Sequence, residues 1–153
     1  MKIFFMISIL LLNSTIVLAQ DCNLSRTEDK FDKTVMISTP ENGFMDVTKI
    51  ITDETINFYL NLKVITNHVS SDRIGVYMLF EDGSRWEFLH REVSFSVNRP
   101  KEYYSYRRLS SKQLKFLMKN RLTDFKLHIY NAEVPEDVGR DFMTQLQCIY
   151  NAI

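Results

Sequence analysis

Four carboxylates crowd one short stretch of this 153-residue chain: Glu81, Asp82, Glu87 and Glu92. Paired carboxylates cleave glycosidic bonds when set about 5–10 Å apart, one acting as acid and the other as base or nucleophile. Glu81 and Asp82 also open Glu81-Asp82-Gly83-Ser84, a composition that turns favour. Turn chemistry and solvation account for the cluster with fewer assumptions. The histidines, His68, His90 and His128, are scattered. No HExxH or clustered Cys/His spacing supplies a zinc ligand set, and the Glu81 turn lacks the Asp/Asn ladder of an EF-hand. GxSxG and Walker A motifs are absent, and Ser105, Ser110 and Ser111 have no recognisable triad neighbours. The residues therefore point to no catalytic centre, metal or cofactor. A small hydrolase of glycan or peptide, working through the hairpin carboxylates, is the enzymatic alternative.

A second cluster is suited to binding. Arg99, Lys101, Arg107 and Arg108 interleave with Tyr103, Tyr104 and Tyr106. Tyr and Arg are enriched at interface hot spots. Tyr103, Tyr104, Tyr106, Arg107 and Arg108 thus form a candidate surface for a protein or glycan partner. The competing account is an edge strand whose tyrosines half-bury while its cations discourage further pairing. Trp86 shares a strand face with Phe88, which suits core packing better than ligand stacking.

The chain opens with a pattern of export. Lys2 precedes the apolar run Ile3 to Leu12, and Val17-Leu18-Ala19 places a small residue before Gln20. Residues 1–19 read as a cleavable secretory signal peptide. Asn13, Ser14 and Thr15 interrupt the run, which argues against a spanning anchor. Asp21, not a small residue, precedes Cys22, which argues against lipidation. No second run is long enough to span a bilayer, so residues 20–153 are expected to be one globular domain without membrane insertion. Losing Lys2 leaves 18 basic against 19 acidic residues, which disfavours a nucleic-acid binder. Two cysteines survive processing, and in an oxidising compartment a bond between Cys22 and Cys148 is expected. Closing so long a loop contributes roughly 4–5 kcal/mol.

These residues must be positioned by strands followed by helices. Residues 20–30 read as an irregular lead-in. Short strands are expected at Thr34 to Ser38 and Asp46 to Thr52, with a turn at Asn42-Gly43. From Ile56 to Val64, apolar residues alternate with Asn57, Tyr59, Asn61 and Lys63, the period of a half-buried strand. Asn67 to Asp72 reads as a polar loop. Gly75 to Phe80 and Arg85 to His90 form a hairpin, and Val93, Phe95 and Val97 alternate up to Pro100. Tyr103 to Leu109 is extended. Ser110 and Gln113 fit a capping box, predicting a helix near 111–119. Leu122 to Asn131 alternates again, with Phe125, Leu127 and Ile129 opposite Asp124, Lys126 and His128. Asp137 caps a final helix near 138–152, burying Val138, Phe142, Leu146, Ile149 and Ile153. The expected fold is α+β, a mainly antiparallel sheet with both helices packed on one face.

The order of several short motifs resembles the small exported proteins of unassigned function common in Bacteroidota. These are Asp21-Cys22, Asp29-Lys30-Phe31-Asp32, Thr39-Pro40, Phe80-Glu81-Asp82-Gly83, Tyr103-Tyr104-Ser105-Tyr106 into Leu109-Ser110, Leu122 to Tyr130, and Leu146-Gln147-Cys148-Ile149. The resemblance spans nearly all of residues 20–153. It implies a periplasmic or secreted α+β domain and carries no catalytic residues with it. The expected function is a non-enzymatic binding domain of the cell envelope or medium. An inhibitor of a foreign enzyme is a further alternative of the same kind.

Overall fold

The structure, a computed structural model, describes residues 22–66, 68, 74–96 and 101–153, with only the main chain of Arg91 and Glu92. The expected signal peptide, most of the Asn67 to Asp72 loop, and Val97, Arg99 and Pro100 lie outside the described residues. Along the chain run β1 (Ser25–Glu28), β2 (Val35–Ser38), β3 (Met45–Ile51), β4 (Ile56–Ile65), β5 (Ile74–Phe80) and β6 (Arg85–Glu92). They are followed by β7 (Ser94–Ser96), β8 (Glu102–Leu109), α1 (Ser111–Leu117), β9 (Leu122–Leu127), β10 (Tyr130–Glu133) and α2 (Glu136–Asn151).

Alternation decides which side chains go inside. In β4, Leu60, Leu62 and Val64 are buried, while Tyr59, Asn61 and Lys63 stand on the other face and are half-buried. In β3, Met45, Val47 and Lys49 are buried. A strand presents successive side chains to opposite faces, so each of these strands has one core side and one outer side. Two antiparallel sheets result, in strand orders β1-β2-β3-β4-β8-β7 and β10-β9-β5-β6. They share one core, which includes Leu60 and Tyr103 from the first sheet and Met78 and Leu127 from the second. Leu146 and Ile149 of α2 complete it, both fully buried. Chain direction between β2 and β3 is reversed at Asn42-Gly43. Asn42 Oδ1 accepts from the main-chain N–H groups of Phe44 and Met45, and Gly43 has φ +86°.

The two helices start differently. Ser110 Oγ accepts from the Gln113 N–H, and Gln113 Oε1 accepts from the Ser110 N–H, so the capping box is complete. At α2 the residue before the helix is Pro135, with no side-chain cap, and Asp137 lies inside the first turn beside Glu136. Their negative charges favour the positive end of the helix without capping it. Gly139 lets α2 come close to the start of β9. A Cβ there would sit 2.8 Å from Arg121 Cγ and 3.1 Å from the Leu122 carbonyl oxygen.

Several expectations are corrected. The lead-in contains β1, which pairs with β2 from Ser25–Ser38 to Glu28–Val35. All four β1 residues are exposed, so the strand has no apolar alternation to reveal it. The stretch Leu122 to Asn131 is a hairpin, not one strand. Leu127 pairs with Tyr130, and His128 turns the chain with φ +57°. Ile129 is 58% exposed in that turn, instead of joining the Phe125 and Leu127 face. The turn lacks Gly, Asn and Asp, so its composition hides it. Ile153 lies beyond α2 and is exposed, not part of the buried stripe. The fold is α+β and mostly antiparallel, but its strands form two sheets. Instead of lying on one face of one sheet, α2 touches β3 of the first and β9 of the second.

Candidate functional site

Among the described residues, β8 is flanked on both sides at its start and is an edge from Ser105 to Leu109. It pairs with β4 over all eight residues, from Phe58–Leu109 to Ile65–Glu102, and with β7 over Ser94–Tyr104 to Ser96–Glu102. Its alternation splits the tyrosine–arginine cluster between two faces. Tyr103 is fully buried, its ring packed 4.7 Å from Phe95 and 4.6 Å from Tyr130. Arg107 is half-buried on the same side, its guanidinium carbon 3.3 Å from the centre of the Phe88 ring. Tyr104, Tyr106 and Arg108 stand on the outer face. The structure therefore brings three of the five candidates together and assigns the other two to packing.

The outer face gains a residue that the tyrosine–arginine segment did not include. The pairing of Asn61 with Tyr106 sets Tyr59 diagonally beside Tyr106. The two rings stack 4.8 Å apart at an interplanar angle of 4°. Tyr106 is 43% exposed. Burial, with lesser effects from Tyr59 and Asp46, raises the Tyr106 phenol above its ordinary value. Beside them, Asn61 Nδ2 donates to Asp46 Oδ2 at 2.9 Å. Burial pushes the Asp46 carboxyl up, against the Asn61 hydrogen bond and Lys63, which lower it. Lys63 is paired with Glu41 and lies 3.9 Å from Glu102. The alternation of β4 assigned Tyr59 to its polar side, but only the register with β8 shows which tyrosine it meets.

Among the described residues, the hairpin carboxylates Glu81, Asp82 and Glu87 are each engaged by a neighbouring side chain. Glu81 is 3.3 Å from Arg121, and Glu87 is 2.9 Å from Arg85. Asp82 accepts from the Ser84 hydroxyl and N–H within the turn, which lowers its pKa. A general acid needs a raised pKa, so Asp82 is shifted in the wrong direction. The side chain of Glu92 lies outside the described residues. Trp86 packs 4.9 Å from Phe80 and 5.1 Å from Phe116, as part of the core wall. His68 and His90 are exposed, and His128 sits in the β9–β10 turn with Nδ1 3.3 Å from the Ile74 carbonyl oxygen. Among the described residues, no group of His, Cys, Asp or Glu could hold a metal ion.

At the far end of α2, several links converge. The sulfurs of Cys22 and Cys148 are at bonding distance, with Cα atoms 5.7 Å apart. Arg26 donates to the Ile153 carbonyl oxygen. Lys49, only 5% exposed, donates to the carbonyl oxygens of Tyr150 and Ala152. Its place on the apolar side of β3, in line with Met45 and Val47, is the signal that singles it out. Next to it opens a groove of about 740 Å³ between the start of β4, the end of β8 and α2. No helix among the described residues is long and apolar enough to cross a membrane. Compared with family models, with curated proteins and with solved structures, the chain matches none.

Proposed function

We propose that this chain is an exported, non-enzymatic binding domain that engages a protein partner through the outer face of β4 and β8. The observation that carries this reading is the parallel Tyr59–Tyr106 stack on that face, with Tyr104 and Arg108 beside it. Two rings that already hold each other lose little rotamer freedom on binding, which lowers the cost of association. Tyr and Arg are also the side chains most enriched at hot spots. Export is supported by the signal pattern of residues 1–19, by the order of motifs resembling small exported Bacteroidota proteins, and by the Cys22–Cys148 pair. Such pairs persist in oxidising compartments. The test is capture of a partner from envelope and medium fractions, identified by mass spectrometry. Replacing Tyr59, Tyr104 and Tyr106 together by Ser should reduce capture at least about tenfold, in line with loss of a hot spot. Circular dichroism and thermal melting check that the variant still folds. Undiminished capture by a folded variant overturns this face as the binding surface.

A further inference from the structure

We propose that the groove at the C-terminal end of α2 binds a small amphipathic carboxylate: one carboxylate group on an aromatic or branched apolar body. This site borders the tyrosine face and shares Arg108 with it, but it is argued from Lys49 and the apolar lining, so either reading can fail without the other.

The groove has the size of a small-molecule site, about 740 Å³ against a usual range of roughly 300–1,000 Å³. Its apolar lining includes Phe58 and Tyr150, whose ring centres are 6.3 Å apart and 23° from parallel, and Ile56, which is 58% exposed. Its charged lining is Lys49 and Arg108, with no carboxylate. This one-sided charge is what selects an anion.

Lys49 makes the selection specific. Its ammonium lies 5.5 Å from the centre of the Phe58 ring, and the residue as a whole is only 5% exposed. An ammonium has three donors. Two are spent on the Tyr150 and Ala152 carbonyl oxygens, which leaves one. The end of a helix supplies about half a negative charge, so roughly half of the Lys49 charge lacks compensation. Among the described residues, no carboxylate offsets the rest, and burial holds the amine below its ordinary pKa. A buried charge without a full partner is unfavourable. An arriving anion relieves that.

The anion should carry a single charge. One oxygen can accept the remaining Lys49 proton, while Arg108, which lines the groove from the outer face of β8, adds its positive charge at the rim. A second negative charge would have to be desolvated against Phe58 and Leu109 with no further cation in the lining. The aromatic or branched body covers Phe58, Tyr150 and Ile56, which a polar body would leave wet.

The purified protein, disulfide intact, is titrated with 4-phenylbutyrate, its carboxamide, acetate and inorganic phosphate while backbone amide shifts are followed by NMR. Phenylbutyrate should give saturable shifts at Lys49, Phe58 and Tyr150. The carboxamide should bind roughly tenfold more weakly, having lost the charge-assisted bonds. Acetate and phosphate should not saturate over the same range. Lys49→Met should weaken phenylbutyrate binding about tenfold, and Arg108→Gln, which removes the charge at the rim, about threefold. Arg108 is exposed, so its variant tests the groove even if Lys49→Met fails to fold. A carboxamide that binds as well as the acid overturns the proposal. So do phosphate binding tighter than phenylbutyrate, shifts that avoid the groove, and an Arg108→Gln protein that titrates like the wild type.

Discussion

α1 and α2 are closed by different kinds of chemistry. At α1 the closure is a string of four residues, with Ser110 and Gln113 capping each other across a separation of three. At the end of α2 it comes from far away. Cys22 reaches Cys148 across 126 positions, and Lys49 reaches Ala152 across 103. Arg26 reaches the Ile153 carbonyl across 127. A local cap can form as soon as its own residues meet. A remote one exists only after β1, β2 and β3 have been assembled beside the helix. The end of α2 is therefore a readout of the first sheet, whereas the start of α1 is not.

Opening the Cys22–Cys148 link is the strongest way to break this contrast. In the chain-entropy model the closed loop is worth roughly 4–5 kcal/mol. A Cys22→Ala/Cys148→Ala variant should lose about 3–5 kcal/mol, read from the shift of its urea midpoint. Hydrogen exchange should show lost protection in β1 and the last turn of α2 first, with α1 following only at global unfolding. Equal loss in both helices would mean that the remote closure is not a separate unit. The converse change is smaller. Ser110→Ala should cost about 1 kcal/mol and should leave exchange at the end of α2 unaltered. A loss of protection there would show that the two ends are coupled through their contact.

The same contrast explains what could be read from the sequence. The capping box, the β4 alternation and the Glu81 to Ser84 turn are local, and each appears where composition and period put it. β1 was invisible because all of its side chains are exposed. The β9–β10 turn was invisible because His128 and Ile129 occupy positions where Gly or Asn would give a signal. The second sheet was invisible because strand order is not a property of any single strand. The candidate face was half legible. Tyr104, Tyr106 and Arg108 lie close together in the sequence, but alternation sends Tyr103 and Arg107 inward, and Tyr59 joins through register alone. Lys49 could have been noticed, since a charged residue interrupts the apolar side of β3. What it touches could not, because its partners lie about a hundred positions on.

Lys49 sharpens the comparison with the smallest effect. It acts as a remote cap on α2, yet its burial lowers the amine pKa below 10.5 with no carboxylate to oppose the shift. At neutral pH the ammonium is charged in both the folded and unfolded chains, and the folded chain carries the desolvation cost. The two carbonyl bonds and the attraction of the helix end, about 0.3–1 kcal/mol, offset part of it. Lys49→Met keeps the stem and removes the charge. Without ligand it should be slightly more stable than the wild type near pH 7, by a few tenths of a kcal/mol to about 1 kcal/mol. As pH rises through the lowered folded pKa, the wild-type amine loses its proton in the folded state before the unfolded one. The unfolded chain then binds more protons, so wild-type stability rises relative to the variant until about pH 10.5. The gap between the two urea midpoints should therefore narrow from pH 7 to pH 10.5. A variant that is less stable at pH 7 by more than about 1 kcal/mol would mean that the carbonyl bonds outweigh desolvation. Lys49 would then be a structural cap with no stability held in reserve for a ligand.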